Sequence, residues 1–126
     1  MNYDPDHDDA VDRILNHTTI IDYVRRQRDW SIKTFGPATP ENDRRNGVID
    51  HIRKECVEAI SDGAEFVDIV ILALDGLWRA GFNAHEIESM LNAKYDKNAT
   101  RSWPNWRGLS PNVAIEHDRS KDEPHV

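Results

Sequence analysis

An all-α fold is the expectation for this chain, and three features of the sequence lead to it. No stretch sustains the period-2 alternation of a half-buried strand, and no Asn-Gly or Asp-Gly pair joins two alternating runs into a hairpin. Apolar residues recur instead at three- and four-residue spacing. Turn and capping residues fall between those segments, where helix ends require them.

The first helix is expected over about Asp12 to Lys33, with Ile14, Ile20, Ile21 and Val24 on its apolar side and Arg25, Arg26 and Arg28 in solvent. Gly36-Pro37 stops it, and Gly36 to Glu41 reads as a loop. A second helix begins at Glu41 or Asp43 and runs to Ile60; its stripe Ile49, Ile52, Cys56, Ala59 and Ile60 places Cys56 in the core rather than in a reactive position. Ser61-Asp62-Gly63 breaks the pattern and offers an N-cap to a third helix over Ala64 to Ala80, which Gly81 ends. Asn83 and Glu86 form a capping-box pair for a fourth helix running to about Arg101, and Phe82 is placed to staple against Ile87. The expected organisation is a flexible acidic N-terminus at 1–12, a helical domain at 13–104 and a loosely ordered tail at 105–126.

With 126 residues, one domain is expected. Lys and Arg total 16 against 23 Asp and Glu, a net charge of −7, which opposes a stable nucleic-acid binder and means that an anionic substrate would need cations to bind. No apolar run approaches the roughly 18 to 20 residues of a membrane span, and the acidic start Met1 to Ala10 does not read as a signal peptide. A lone Cys56 forms no internal disulfide and excludes multi-cysteine zinc frameworks, so a reducing cytoplasm is expected.

The third helix carries the chemistry. Phe66, Val67, Ile69, Val70, Ile71, Leu74, Leu77 and Trp78 cover most of its circumference, so it should be central. Its polar residues Glu65, Asp68, Asp75 and Arg79 share one narrow sector. Glu55 and Glu58 lie one turn apart on the second helix, and a short link makes the two helices antiparallel neighbours, so Glu55, Glu58, Glu65 and Asp68 converge. Such carboxylates within about 5 Å repel by roughly 3 kcal/mol per pair at an effective dielectric near 20. A hard cation is the expected remedy: Mg²⁺, with Mn²⁺ able to substitute, since oxygen-only ligands suit these over zinc. A single acid pair would mean little, because 23 acids in 126 positions give about four such pairs by chance. Two pairs across a short turn, one on an apolar helix, favour a metal site over a solvated stripe.

His51, one turn before Glu55, reads as a surface residue or a support behind the ligands. Asp75 and Arg79 read equally as a surface ion pair or as such a support. On the fourth helix, Ile87, Met90 and Leu91 set an inward face that continues into Lys94, Lys97, Asn98 and Arg101, a change from apolar to cationic that suits an enclosed phosphate. Trp30 and Phe35 read either as packing residues or as platforms for a base.

The run Glu55-x-x-Glu58, Glu65-x-x-Asp68, Lys94, Lys97-Asn98 and Arg101 resembles the MazG-like all-α nucleoside triphosphate pyrophosphohydrolases. Closer likeness to the dATP/dGTP pyrophosphohydrolase branch, often phage-encoded, is carried by Trp30-Ser31-x-Lys33-Thr34-Phe35-Gly36-Pro37, by Gly47 to Glu55, by Asp68 to Gly81 and by Arg101-Ser102-Trp103-Pro104. The resemblance implies a four-to-five-helix bundle assembled as a homodimer or homotetramer. It implies hydrolysis of a dNTP to a monophosphate and pyrophosphate, with purine dNTPs as substrates and two or more Mg²⁺ per site held by Glu55, Glu58, Glu65 and Asp68. Lys94, Lys97, Asn98 and Arg101 would then bind substrate, and Trp30, Phe35, His51 and Asp75 would serve the base or the ligands. The setting would be the cytoplasm, that of a bacterial host for a phage enzyme, and some such enzymes act on dGTP to supply dGMP for 2-aminoadenine DNA. Competing readings are the same chemistry on dUTP, dCTP or damaged nucleotides, and a helical interaction module using Arg25, Arg26, Arg28 and Trp103 to Arg107.

Overall fold

The computed structural model describes residues 19–119. Among them lie four α-helices and no strand: α1 (Ile20–Phe35), α2 (Arg45–Ala59), α3 (Glu65–Arg79) and α4 (Ala84–Thr100), then a 3₁₀ turn at Trp106–Gly108. The all-α expectation holds. The start of the expected first helix, the acidic segment 1–12 and the last residues of the tail fall outside the described residues. Two compact units divide the chain, one ending at Ser89 and one beginning at Met90.

Each helix end has a local cause. Thr19 opens α1 by accepting the Asp22 amide at 3.1 Å while its hydroxyl donates to the Asp22 carboxylate at 2.9 Å. Gly36 closes it at φ +90°, a left-handed backbone whose Cβ would also lie 2.8 Å from the Asn42 amide nitrogen. That nitrogen donates to the carbonyls of Phe35 and Pro37, folding the loop against the helix end. By contrast, α2 starts with Arg44 and Arg45 and has no acid in its first turn; its N-cap Arg44 makes no side-chain cap bond, and the preceding Asp43 carboxylate accepts the Arg45 amide at 3.0 Å. Two cations there oppose the positive helix terminus, which costs about 0.3–1 kcal/mol each at exposed sites.

The turn between α2 and α3 is built on Asp62, whose carboxylate accepts the Ala64 amide and whose carbonyl accepts the Glu65 amide. The expected N-cap therefore acts one turn before the helix proper. At the far end, Gly81 (φ +105°) and Phe82 donate to the carbonyls of Trp78 and Leu77, the paired bonds of a Schellman motif. Asn83 and Glu86 then exchange amide-to-side-chain bonds of 3.1 and 2.8 Å, forming the expected capping box.

Helix α3 is the spine of the first unit: α2 packs along it and α1 crosses it. The core of Val24, Leu74, Trp78, Ala84 and Ile87 gathers around its C-terminal half, with Ile20, Ile21, Tyr23, Leu77 and Phe82 packed on it. Its N-terminal half corrects the expectation of a central helix, since Phe66, Val67 and Val70 are exposed. Among the described residues, α2 covers one side there and α1 reaches it only at Ile71, through Gln27. Cys56 is likewise exposed, not in the core: the packed side of α2 is Val48, Glu55 and Ala59, with Ile52 half-buried, and Ile49, Cys56 and Ile60 fall on a neighbouring face.

Polar contacts lock α1 to α3. Ser31, 1% exposed, donates to Asp75 at 2.6 Å; the same carboxylate accepts from Trp78 Nε1 and from Arg79 Nε, both at 2.9 Å. Arg79 Nη2 donates to Ser31 Oγ and to the Gly36 carbonyl, tying the loop after α1 into the same knot. Asp75 and Arg79 thus form a buried pair, which overturns the surface reading: their sector of α3 faces α1.

In the second unit, Asn98 organises the end of α4. Its side-chain oxygen accepts from Arg101 Nη1 and its carbonyl from Trp103 Nε1, each at 2.7 Å. Trp103 meets His117 edge-on, and the Asp118 amide donates to the Ser102 carbonyl at 2.8 Å. No helix among the described residues is long and apolar enough to cross a membrane.

Candidate active site

The α2–α3 hairpin brings Glu55, from the last turns of α2, against Glu65 and Asp68, from the first turns of α3. One carboxylate oxygen from each lies within 4.8 Å of the others. Glu55 is 9% exposed; its Oε1 meets His51 Nε2 at 3.2 Å, and its Oε2 is buried with no hydrogen-bond partner. Glu58 is exposed and stands beside Glu55, outside that set of three. The charge of Glu55 and a hydrogen bond with it, then burial and the charge of Asp68, raise the Glu58 carboxyl above its ordinary range, with His51 opposing. Glu65 is affected more. A hydrogen bond with Asp68, one with Glu55, burial and the charges of both push it from 4.5 up to about 7.

The donor set fits a hard divalent cation. All ligand atoms are carboxylate oxygens, no His or Cys among the described residues joins the set, and the orphaned Glu55 oxygen lacks a positive partner. His51, read as a surface residue or a support, touches Glu55 while its own side chain remains 57% exposed.

A cleft of about 300 Å³ extends from these acids along α1, at the lower end of the range for small-molecule sites. Glu55 and Asp68 border it, as do Trp30 and Phe35, whose rings meet edge-on at 5.5 Å. Both aromatics are partly exposed rather than packed in the core. Asp75 borders the cleft from within its buried network. Lys94, Lys97 and Asn98 are exposed, as is Leu91, so the inward face expected of α4 ends at Ile87 and the half-buried Met90. The core that defines an inward direction lies around the first turn of that helix only.

Three cleft or network residues, Gln27, Arg44 and Ser31, are not singled out by the sequence reading. Gln27 is 8% exposed and donates Nε2 to the Ile71 carbonyl at 2.7 Å. Its signal was the spacing Val24, Gln27, Ser31, one buried stripe with polar members. Arg44 borders the cleft with its guanidinium 5.5 Å from the centre of the Phe35 ring, and nothing in the local pattern announces it. Ser31 and the buried character of Arg79 were legible only from the apolar surroundings of Asp75.

Converging carboxylates beside an aromatic-walled cleft, on a purely helical scaffold, define a helical hydrolase of nucleoside triphosphates once the family comparison is added. The family model for dATP/dGTP pyrophosphohydrolase matches residues 23–122, and the chain belongs to that family. It is therefore an enzyme, a nucleoside triphosphate pyrophosphohydrolase whose substrate is a small-molecule nucleotide. Neither a curated protein nor a solved structure matches it.

Because Glu65 binds its proton more tightly in the folded than in the unfolded chain, this group stabilises the metal-free fold at low pH. That contribution is lost as pH rises from 4.5 through about 7. Urea midpoints in EDTA should fall between pH 5 and pH 8 in the native chain and fall less in Glu65→Gln; equal slopes would detach Glu65 from the cluster.

Proposed function

We propose that the chain hydrolyses purine deoxynucleoside triphosphates, dGTP or dATP, to the monophosphate and pyrophosphate in a Mg²⁺-dependent reaction. The observation that carries this is the placement of three carboxylates within 4.8 Å at one end of a cleft bordered by Trp30 and Phe35. Glu55, Glu65 and Asp68, with Glu58 beside them, would hold the metal, two or more ions per site. Bound Mg²⁺ supplies charge neutralisation for the triphosphate and lowers the pKa of an attacking water. Trp30 and Phe35 offer flat apolar faces to the base. Arg44, which borders the cleft beside Phe35, would offer a cation to the nucleotide. One carboxylate of the cluster orients the water. The phosphate-side roles of Lys94, Lys97, Asn98 and Arg101 rest on sequence resemblance alone. A dGTP preference would suit supply of dGMP for 2-aminoadenine DNA, and free nucleotides and a free Cys56 both suit the cytoplasm.

A homodimer or homotetramer completes the proposal. Ile60 (86% exposed), Phe66 (62%), Val67 and Val70 flank the carboxylate end of the hairpin, an apolar surface of the kind that marks protein contacts. Light scattering at micromolar concentration should give a multiple of the 14.5 kDa chain mass; a monomer would remove this part.

Incubation with each dNTP and rNTP, with and without Mg²⁺, followed by ion-exchange separation, should yield monophosphate and pyrophosphate from purine dNTPs only when metal is present. Asp68→Asn and Glu58→Gln should each lower kcat by about 10³-fold while the fold persists, as expected for loss of several kcal/mol of charge stabilisation. Full activity in either variant would remove that residue from the site, and intact triphosphates throughout would favour the interaction module.

A further inference from the structure

One face of α2 and its N-cap joins the carboxylate cluster to a cation at the far end of the cleft. Arg44, Gly47, His51 and Glu55 all border the cleft and follow one another at three- and four-residue spacing. Two contacts place the Arg44 guanidinium on the cleft wall. Its carbon lies 5.5 Å from the centre of the Phe35 ring, and its Nη2 lies 3.8 Å from where a Cβ on Gly47 would sit. Phe35 and Gly47 both border the cleft, and Trp30 meets the same Phe35 ring edge-on, so the cation shares the aromatic end. Arg44 is half-buried. Among the described residues no carboxylate lies within 4.0 Å of it, and its guanidinium makes no hydrogen bond.

We propose that Arg44 is a specificity-determining residue, whose guanidinium takes the O6 and N7 acceptors of guanine and so favours dGTP over dATP. The inference rests on the purine-nucleotide reading above and adds the residue that discriminates within it. Distance assigns the cation to the base. Glu55 lies eight residues beyond Gly47, about 12 Å of helix rise, so a triphosphate gathered at the carboxylates leaves its base, not its phosphates, towards Arg44. Chemistry then selects among the bases. Arginine carries donors only, in a planar fork. Guanine presents two adjacent acceptors on one edge, whereas adenine presents one acceptor beside its N6 amino donor, and thymine and cytosine have no such pair. An unpaired fork therefore gains two bonds from guanine and meets a donor on adenine.

The test compares kcat/KM for dGTP, dATP and 7-deaza-dGTP in Mg²⁺, using the full chain and its Arg44→Gln and Arg44→Lys variants. The native chain is expected to prefer dGTP over dATP by about 10-fold or more. With 7-deaza-dGTP, in which C–H replaces N7, the native value is expected to fall well below that for dGTP, an arm that needs no substitution. Gln pairs with adenine N6 and N7, so Arg44→Gln should bring the dGTP to dATP ratio to about one or below, while Arg44→Lys retains part of it. An equal fall for both nucleotides in Arg44→Gln would make Arg44 a general cation for the triphosphate and overturn the proposal. A native preference for dATP, or 7-deaza-dGTP turned over as well as dGTP, would overturn it too. Hydrolysis of neither purine nucleotide by the native chain would instead overturn the functional reading, and this inference with it.

Discussion

Carboxylates held together by a helix hairpin must be offset by positive charge, and most of this structure follows from that requirement. Glu55 and Asp68 belong to different helices, so their convergence depends on the turn at Asp62, which satisfies the amides of Ala64 and Glu65 with one residue. Hydrogen bonds with Asp68 and Glu55, then burial and the charges of both, push the Glu65 carboxyl up to about 7. A fold that retained such a cluster for stability alone would be less stable than one with apolar residues there. The hydrophobic core accordingly gathers at the opposite end of α3, around Leu74 and Trp78, where it tolerates no charge that is not paired.

Between the acids and the core, α1 determines the cleft. Its position is fixed by Gln27 bonding the Ile71 carbonyl and by Ser31 bonding Asp75. Breaking the buried Asp75–Arg79 pair from one side costs about 3–5 kcal/mol in comparable settings, because the remaining charge stays buried. The pair therefore holds α1 in register with α3, and with it Trp30 and Phe35. These polar bonds, together with the packing of Ile20, Ile21, Tyr23 and Val24 on the core around Leu74 and Trp78, keep the aromatic wall and the carboxylate end in one unit.

Much of this was legible in the sequence, for stated reasons. The capping box at Asn83 and Glu86, the stop at Gly36 and the carboxylate pairs each depend on spacing within a helix, which the chain displays directly. Burial was harder to read, since it depends on what packs against a face. Cys56 lies on an apolar stripe yet is exposed, and Phe66 lies on a helix apolar over most of its circumference yet is 62% exposed. Asp75 and Arg79 erred the other way: an i, i+4 ion pair reads as solvated until α1 is laid over it. Arg44 follows a loop that folds back through Asn42, which no periodicity encodes.

The central claim is that Glu55, Glu65 and Asp68 hold a divalent cation. Electron paramagnetic resonance of Mn²⁺ added to the full chain at pH 7.5 tests it most directly, because bound ions lose the sharp signal of the free ion. The account predicts saturable binding in the native chain, weakened about 10-fold or more in Asp68→Asn and in Glu55→Gln, with competition by Mg²⁺. Equal Mn²⁺ affinity in the native chain and both variants, or none in any, would contradict it.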